Sequence, residues 1–353
     1  MTRYRAAALR CHQGFSLDLH PRLNVIVGGN GAGKTSLLEG LFVLSRGRSF
    51  RTARLRDLLK RGEARWWVAA DHAVDGQFTE RCDLQWTPEG IRARVESQEA
   101  GVSQLARRLP VQVLESAQHA VVDEGPGFRR AFLDWGVFHV EPDFLAVWRQ
   151  YARCLQQRNR ALASGAADAV VRAFDPELLA TGQRLDAARR RQVAGIMKTW
   201  PARAEALLGT AELALEYQPG WATESFAAAL DAHLPRHRQL GQTSEGPHRA
   251  ELKLRWQGRD AVRQVSRGQQ RLLVTSLILA QADWLMAAAG VTPVLLLDDF
   301  SAELSAAFQA RLAEGLADYR GQVWVTAFEP PPALQGRDHA LFHVEHGAVH
   351  RLH

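Results

Sequence analysis

The chain has 353 residues, 46% hydrophobic and 23% charged, a composition that fits a globular protein and excludes a disordered or low-complexity one. A formal net charge of +6 and a pI near 9.6 favour a polyanionic partner, without choosing among nucleic acid, an anionic membrane surface and simple solubility. Three scattered cysteines, Cys11, Cys82 and Cys154, with no C-x-x-C pair, predict a reducing, cytoplasmic setting without disulfides.

The opening MTRYRAAALRCHQ lacks the apolar core of a signal peptide. Tyr4 to Leu9 and Phe15 to Leu19 alternate as two short strands. Leu23 to Val27 is an apolar, β-branched run of the kind that makes a buried strand, and Gly28 stops it. From Lys34, the residues Leu37, Leu38, Leu41, Phe42 and Leu44 recur at helical steps, and the helix should end near Gly47. Between strand and helix, Gly28, Gly33, Lys34 and Thr35 fit the phosphate-loop pattern G-x-x-x-x-G-K-[ST] without mismatch. A triphosphate needs many donors at once. Glycines let successive backbone N–H groups turn inward, and Gly29, Gly31 and Gly33 keep Cβ atoms away from the phosphates. Lys34 reaches the β- and γ-phosphates, and the Thr35 hydroxyl ligates Mg²⁺.

Next comes the densest basic run, with Arg46, Arg48, Arg51, Arg54, Arg56, Lys60 and Arg61, either a solvated face or a nucleic-acid contact. Trp66 to Asp71, Phe78 to Trp86 and Ile91 to Val95 read as an antiparallel meander with a turn at Asp75-Gly76, and Val111 to Leu114 as one more strand. Phe144 to Ala163 and Pro176 to Leu208 carry helical periodicity but hold no sustained heptad, which predicts a compact helical lobe and no coiled coil. Strand Leu213 to Tyr217, helix Glu224 to Leu234 and strand Ala250 to Trp256 lead to the apolar stretch Leu272 to Ala289. Gln281 and Asp283 inside that stretch mark it as a buried helix, so no membrane partner is expected.

Pro293 to Leu297 is a second buried-strand run and ends in Asp298 and Asp299, the shape of a Walker B element. Asp298 is the metal-side carboxylate, shared with Thr35, and Asp299 is placed to orient the attacking water. The two acids could also merely cap a helix from Glu303. Upstream, Ser266, Arg267, Gly268 and Gln269 open the apolar helix. Ser266 is a good N-cap, and S-x-G-Q about 30 residues before a Walker B strand also resembles the signature motif of ABC-type ATPases. The histidines His339, His343, His346, His350 and His353 lack an accompanying cysteine or carboxylate cluster and are not read as a metal site.

The blocks GGNGAGKTSLLEG (28–40), GRSFR (47–51), GPGFRRAFLDWGVFHVEPDF (125–144), QQRNRAL (156–162), GPHRAEL (246–252), SRGQQRLL (266–273) and LLLDDFSAEL (295–304) closely resemble the RecF family. These are bacterial DNA-repair ATPases related to the heads of SMC and Rad50 proteins. The resemblance implies an α/β fold: an ABC-type P-loop ATPase core with an antiparallel β subdomain and an inserted α-helical lobe. It implies a core lobe of residues 1–125 and 290–353, and a helical lobe of 126–289 that carries the signature. It implies ATP and Mg²⁺ held by Gly28, Gly29, Asn30, Gly31, Ala32, Gly33, Lys34, Thr35 and Ser36, with Thr326 as the switch that senses the γ-phosphate. Ser266 to Gln269 would act across an ATP-dependent homodimer. The implied partners are duplex and gapped DNA, RecO and RecR, with RecA loaded onto SSB-coated single strands.

Two positions depart from the family pattern. Ser305 stands where members carry a D-loop aspartate, and Glu115, Ser116 and Ala117 replace a Thr-Pro-Glu-like run, which leaves the Q-loop contact unassigned at Gln118. The alternatives are a transporter ATPase subunit, which the Asp-Asp ending and the Arg-rich insertion disfavour, and a nucleotide-gated scaffold that never hydrolyses ATP, which Ser305 favours. An SMC or Rad50 head would need hundreds of heptad residues.

Overall fold

The computed structural model describes residues 1–74, 78–114, 125–261, 265–302 and 304–352. The turn at Asp75-Gly76, the run Glu115 to Gln118 and Glu303 lie outside them. The chain divides into two compact units, Met1–Gln118 with Val291–His353, and His119–Gly290.

The first unit holds two six-stranded sheets. Strands β1 (Arg3–Leu9), β2 (His12–Asp18), β4 (Trp66–Val74), β5 (Phe78–Thr87), β6 (Gly90–Val95) and β7 (Gln98–Ala100) form an antiparallel sheet in the order β2-β1-β4-β5-β6-β7. The second sheet is mainly parallel. It takes β3 (Leu23–Val27), β8 (Val111–Leu114), β12 (Val294–Leu297), β13 (Val323–Ala327), β14 (Ala340–Glu345) and β15 (Ala348–Arg351) in the order β15-β14-β3-β13-β12-β8. Every residue of β3, β12 and β13 is buried, as expected of parallel strands covered on both faces. Helix α1 (Lys34–Arg46) packs against strands of both sheets and is buried from Ser36 through Ser45. Its Gly47 cap, in the left-handed conformation, returns a backbone N–H to Val43 and ends the helix where expected.

Parallel register aligns the carboxyl ends of the central strands. Val27 pairs with Ala327 and Leu297 with Val325, so Asp298 emerges beside Thr326 and next to the start of the phosphate loop. Thr326 lies within β13, one residue inside its end.

The second unit is helical, with a three-stranded sheet of β9 (Leu213–Gln218), β10 (Glu251–Trp256) and β11 (Arg259–Asp260). Two expectations need correction here. The stretch Pro176 to Leu208 is two helices, α6 (Asp175–Met197) and α7 (Trp200–Leu208), because Pro201 lacks an N–H and fits only the first turn of a new helix. Glu224 to Leu234 shortens to α8 (Phe226–Ala232), and a separate helix α9 (Leu234–Leu240) follows with Pro235 in its first turn. In the first unit, α11 (Ala306–Ala317) starts past Glu303. Its N-cap is Ser305, whose hydroxyl accepts from Phe308 N.

The motif blocks at 125–144, 156–162 and 246–252 meet in the core of the second unit. From α3 (Pro126–Val140), Arg129 forms a bidentate pair with Glu251 at 2.7 and 2.8 Å, and Arg130 donates to the Ala250 carbonyl. Asp134 receives a bidentate contact from the buried Arg189, which also donates to the Pro247 carbonyl. From α4 (Phe144–Ala163), the fully buried Arg158 reaches Asp175 and Thr243. Helix α10 (Arg267–Ala289) is long and apolar, but 67% of its most apolar window is buried, as in a core helix.

Breaking a buried ion pair by removing one partner strands a charge. Asp134→Ala is therefore expected to cost about 3 kcal/mol or more in chemical denaturation. Asp18→Ala, which removes an exposed partner of Arg3, should cost far less, because water screens that pair. Equal losses would contradict this reading of the motif block.

Candidate nucleotide-binding site

The phosphate loop connects β3 to α1, and two of its glycines are demanded by the protein itself. Gly28 sits at φ 151°, where a Cβ would lie 2.2 Å from the Val344 carbonyl oxygen of β14. Gly33 sits at φ 120°, and a Cβ there would lie 2.6 Å from Cys11 Sγ and 2.9 Å from the His12 ring. At Gly29 and Gly31 an added Cβ meets no protein atom within 4 Å. Gly33 is also the N-cap of α1, which has no side-chain cap and no acidic residue in its first turn, so its N–H groups and dipole are presented to an anion.

Lys34 Nζ donates to the carbonyls of Gly28 at 2.7 Å and Gly29 at 2.9 Å, which holds the amine across the mouth of the loop. Burial lowers its pKa, and the charges of Asp299 and Asp298 oppose that shift. At the end of β12, Asp298 Oδ1 accepts from the Thr35 hydroxyl at 3.0 Å and from the Thr326 hydroxyl at 2.7 Å. The same Thr326 oxygen accepts from Asp299 N at 2.8 Å. Asp299 is exposed and occupies the left-handed region at φ 54°, a strained conformation that aspartate tolerates better than most residues.

These groups line a cavity of about 640 Å³, together with Asn30, Gly31 and Ser36. Ala32 is turned into the protein: its carbonyl accepts from Gly347 N at 3.1 Å. Thr35 and Asp298 supply hard oxygen donors on one spot, a donor set that suits Mg²⁺ and not a softer metal.

Ser266, Arg267, Gly268 and Gln269 lie in the second unit, at the start of α10. Ser266 Oγ accepts from Gln269 N at 3.3 Å and Gln269 Oε1 accepts from Ser266 N at 2.9 Å, a complete capping box.

Reading the chain alone missed Arg10, Glu39 and His12. Glu39, fully buried in α1, accepts Arg10 Nε and Nη2 at 2.8 and 2.7 Å and Ser49 Oγ at 2.5 Å, with Arg51 Nη1 at 3.6 Å. Arg10 and Arg51 both line the cavity. The signal was a lone carboxylate in the apolar run LLEGLF, which needs a cationic partner to be buried. The basic run is accordingly not one face. Arg46 lies over the Phe42 ring with Nη2 on the Val111 carbonyl, Arg51 faces the cavity, and Arg48, Arg54, Arg56 and Arg61 are exposed.

A family model described as RecF/RecN/SMC N terminal domain matches residues 7–347. The chain is 39% identical to the DNA replication and repair protein RecF of Thioalkalivibrio sulfidiphilus, over 99% of this chain and 98% of the relative. It is similar in fold to a solved structure of the recombination mediator protein RecF-ATPrS in the RecFOR pathway, with a TM-score of 0.86 at 22% identity over 100% of this chain and 98% of that one. A second such structure, RecF-ATP, matches with a TM-score of 0.85 at 21% identity over 100% and 97%.

His12 gives the loop a pH dependence. It is fully buried, with Nδ1 2.7 Å from the Gly347 carbonyl oxygen and Nε2 3.1 Å from that of Gly33. Both contacts are hydrogen bonds only when both nitrogens carry protons. Burial opposes that charge, but Cys11 and the two carbonyls outweigh it and raise the His12 pKa. Stability from His12 is therefore complete below the ordinary histidine value of about 6.5 and is lost as pH rises through the raised folded value. Denaturation midpoints measured across that window should fall with pH for the native chain and not for His12→Asn; parallel slopes would contradict the assignment.

Proposed function

Because the chain belongs to the RecF family of DNA replication and repair proteins, we propose that it is an ATP-dependent DNA-binding protein of recombinational repair. The reading is carried by one observation: the Thr35 hydroxyl and the Asp298 carboxylate converge at 3.0 Å beside Lys34 and the uncapped start of α1. ATP is the natural occupant, with its phosphates on the loop N–H groups and Lys34, and Mg²⁺ held by Thr35 and Asp298. When bound, the cation offsets phosphate charge during transfer.

The remaining steps belong to the side chains. Lys34 exchanges its contacts with Gly28 and Gly29 for the β- and γ-phosphates. Thr326 ties Asp298 to the backbone of Asp299 and so couples the metal-side carboxylate to the residue that orients the attacking water. Asp299 directs that water, and hydrolysis is slow and stimulated by DNA. Ser305 keeps the N-cap that an aspartate would also provide but carries no charge, which weakens coupling between two sites while leaving the helix start intact.

Ser266 to Gln269 complete the site in trans, so two ATP molecules fasten two copies head to tail. Hydrolysis removes the γ-phosphate contact and releases the pair. The dimer acts on duplex or gapped DNA and assists RecO and RecR in loading RecA onto SSB-coated strands.

Sedimentation velocity with and without ATP and duplex DNA tests this reading. The native chain should dimerise only with ATP, and DNA binding should weaken steeply with salt. Ser266→Arg should bind ATP as a monomer and never dimerise; an unchanged dimer would sink the trans arrangement. Asp299→Asn, which keeps the left-handed turn, should retain ATP-dependent dimerisation while turnover falls at least ~100-fold. Near-native turnover would remove Asp299 from the mechanism.

A further inference from the structure

Away from the nucleotide cavity, the described residues contain one cluster of metal-ligating side chains: His72, Glu80 and Cys82 on β4 and β5. The core-facing side of this strand pair carries Trp66, Val68 and Ala70 along β4, with Leu84 and Cys82 along β5, all fully buried. The same face then continues into His72 and Glu80. The register sets His72 opposite Glu80 and Ala70 opposite Cys82, so the three side chains share one face, and their ligand atoms lie within 4.8 Å of one another.

Two titratable residues at the end of an apolar sheet face are costly unless fully partnered. Here the partnering is incomplete. His72 Nε2 comes within 3.2 Å of Glu80 Oε2, and Arg108 Nη1 lies 3.1 Å from Glu80 Oε1. Yet His72 Nδ1 is buried without a hydrogen-bond partner among the described residues. An imidazole nitrogen, a carboxylate oxygen and a thiol sulfur within 4.8 Å of one another are the donors of a borderline-soft cation.

We propose that His72, Glu80 and Cys82 bind a zinc ion, with water as the fourth ligand. Nitrogen, oxygen and sulfur donors in one set exclude Mg²⁺, so the site does not compete for the cation of the nucleotide cavity. Burial lowers the His72 pKa, in the direction of the neutral ring that ligates. Ligation displaces the Cys82 thiol proton, so affinity rises with pH. The Met1 amine and Arg108 are the cations facing His72, and Glu80 is the facing anion. Arg108 stays on the far carboxylate oxygen and orients the ligand. The bound ion would fasten β4 to β5 at the end of the sheet.

The test is a titration of the chelator-stripped full chain with Zn²⁺ against a chromophoric chelator, repeated with Co²⁺ as the absorbing probe. One zinc per chain is expected, and the Co²⁺ form should show a thiolate charge-transfer band. His72→Ala and Cys82→Ser should each weaken Zn²⁺ by roughly 100-fold or more, beyond the range that loss of an outer-shell partner produces. The double variant Cys11→Ser with Cys154→Ser leaves Cys82 as the remaining thiol and should keep the band, which decides the matter even if Cys82→Ser fails to fold. Absence of zinc binding, affinity unchanged in Cys82→Ser, or a band lost in the double variant would each overturn the assignment.

Discussion

The Asp298 carboxylate oxygen, shared between the hydroxyls of Thr35 and Thr326, is the contact around which the first unit's cavity is organised. Three segments distant in sequence supply it, and they meet because β3, β13 and β12 are neighbours in parallel register with their carboxyl ends aligned. Ligand sites in parallel α/β sheets form at that edge of the sheet. The register in turn rests on wholly buried strands, where a slip would expose apolar side chains. Gly28 permits β14 to lie against the loop, and Gly33 permits the Cys11-His12 corner to do so from the antiparallel sheet.

Charge organises the rest of the cavity. Glu39 is a buried anion that would be untenable alone, and Arg10 and Ser49 satisfy it while Arg51 stands near. The two arginines that reach the cavity are thereby anchored from behind. In the second unit buried arginines do different work: Arg158 joins α4 to Asp175 and Thr243, and Arg189 joins α6 to Asp134 and to the Pro247 carbonyl of the GPHRAEL block, so a conspicuous motif residue such as Asp134 serves to hold the fold.

Much of this was legible in the chain. The buried strands, the phosphate loop, the helix ending at Gly47 and the aspartates after Leu297 are local patterns, each imposed by propensity, period or turn chemistry within a few residues. The helix break at Pro201 was overlooked because periodicity runs through a proline that sits in a first turn, whereas the interruption at Pro235 was legible from the proline itself and only the short helix after it was not. Arg10, Glu39 and His12 were invisible for another reason: their meaning comes from partners tens or hundreds of residues away, as when His12 meets Gly347. His72, Glu80 and Cys82 likewise become a cluster only once the strand register is fixed. Ser266 read both as a cap and as a signature residue, and the capping box satisfies the first reading without bearing on the second.

The most direct measurement on the central claim is Mn²⁺ binding followed by electron paramagnetic resonance, with and without a slowly hydrolysed ATP analogue. The account predicts that one Mn²⁺ per chain is held when the nucleotide is present, and that Asp298→Ala abolishes the ion's signal change while nucleotide binding persists at reduced affinity. Undiminished Mn²⁺ binding in Asp298→Ala would show that the shared carboxylate is not the metal's anchor and would contradict the site as described.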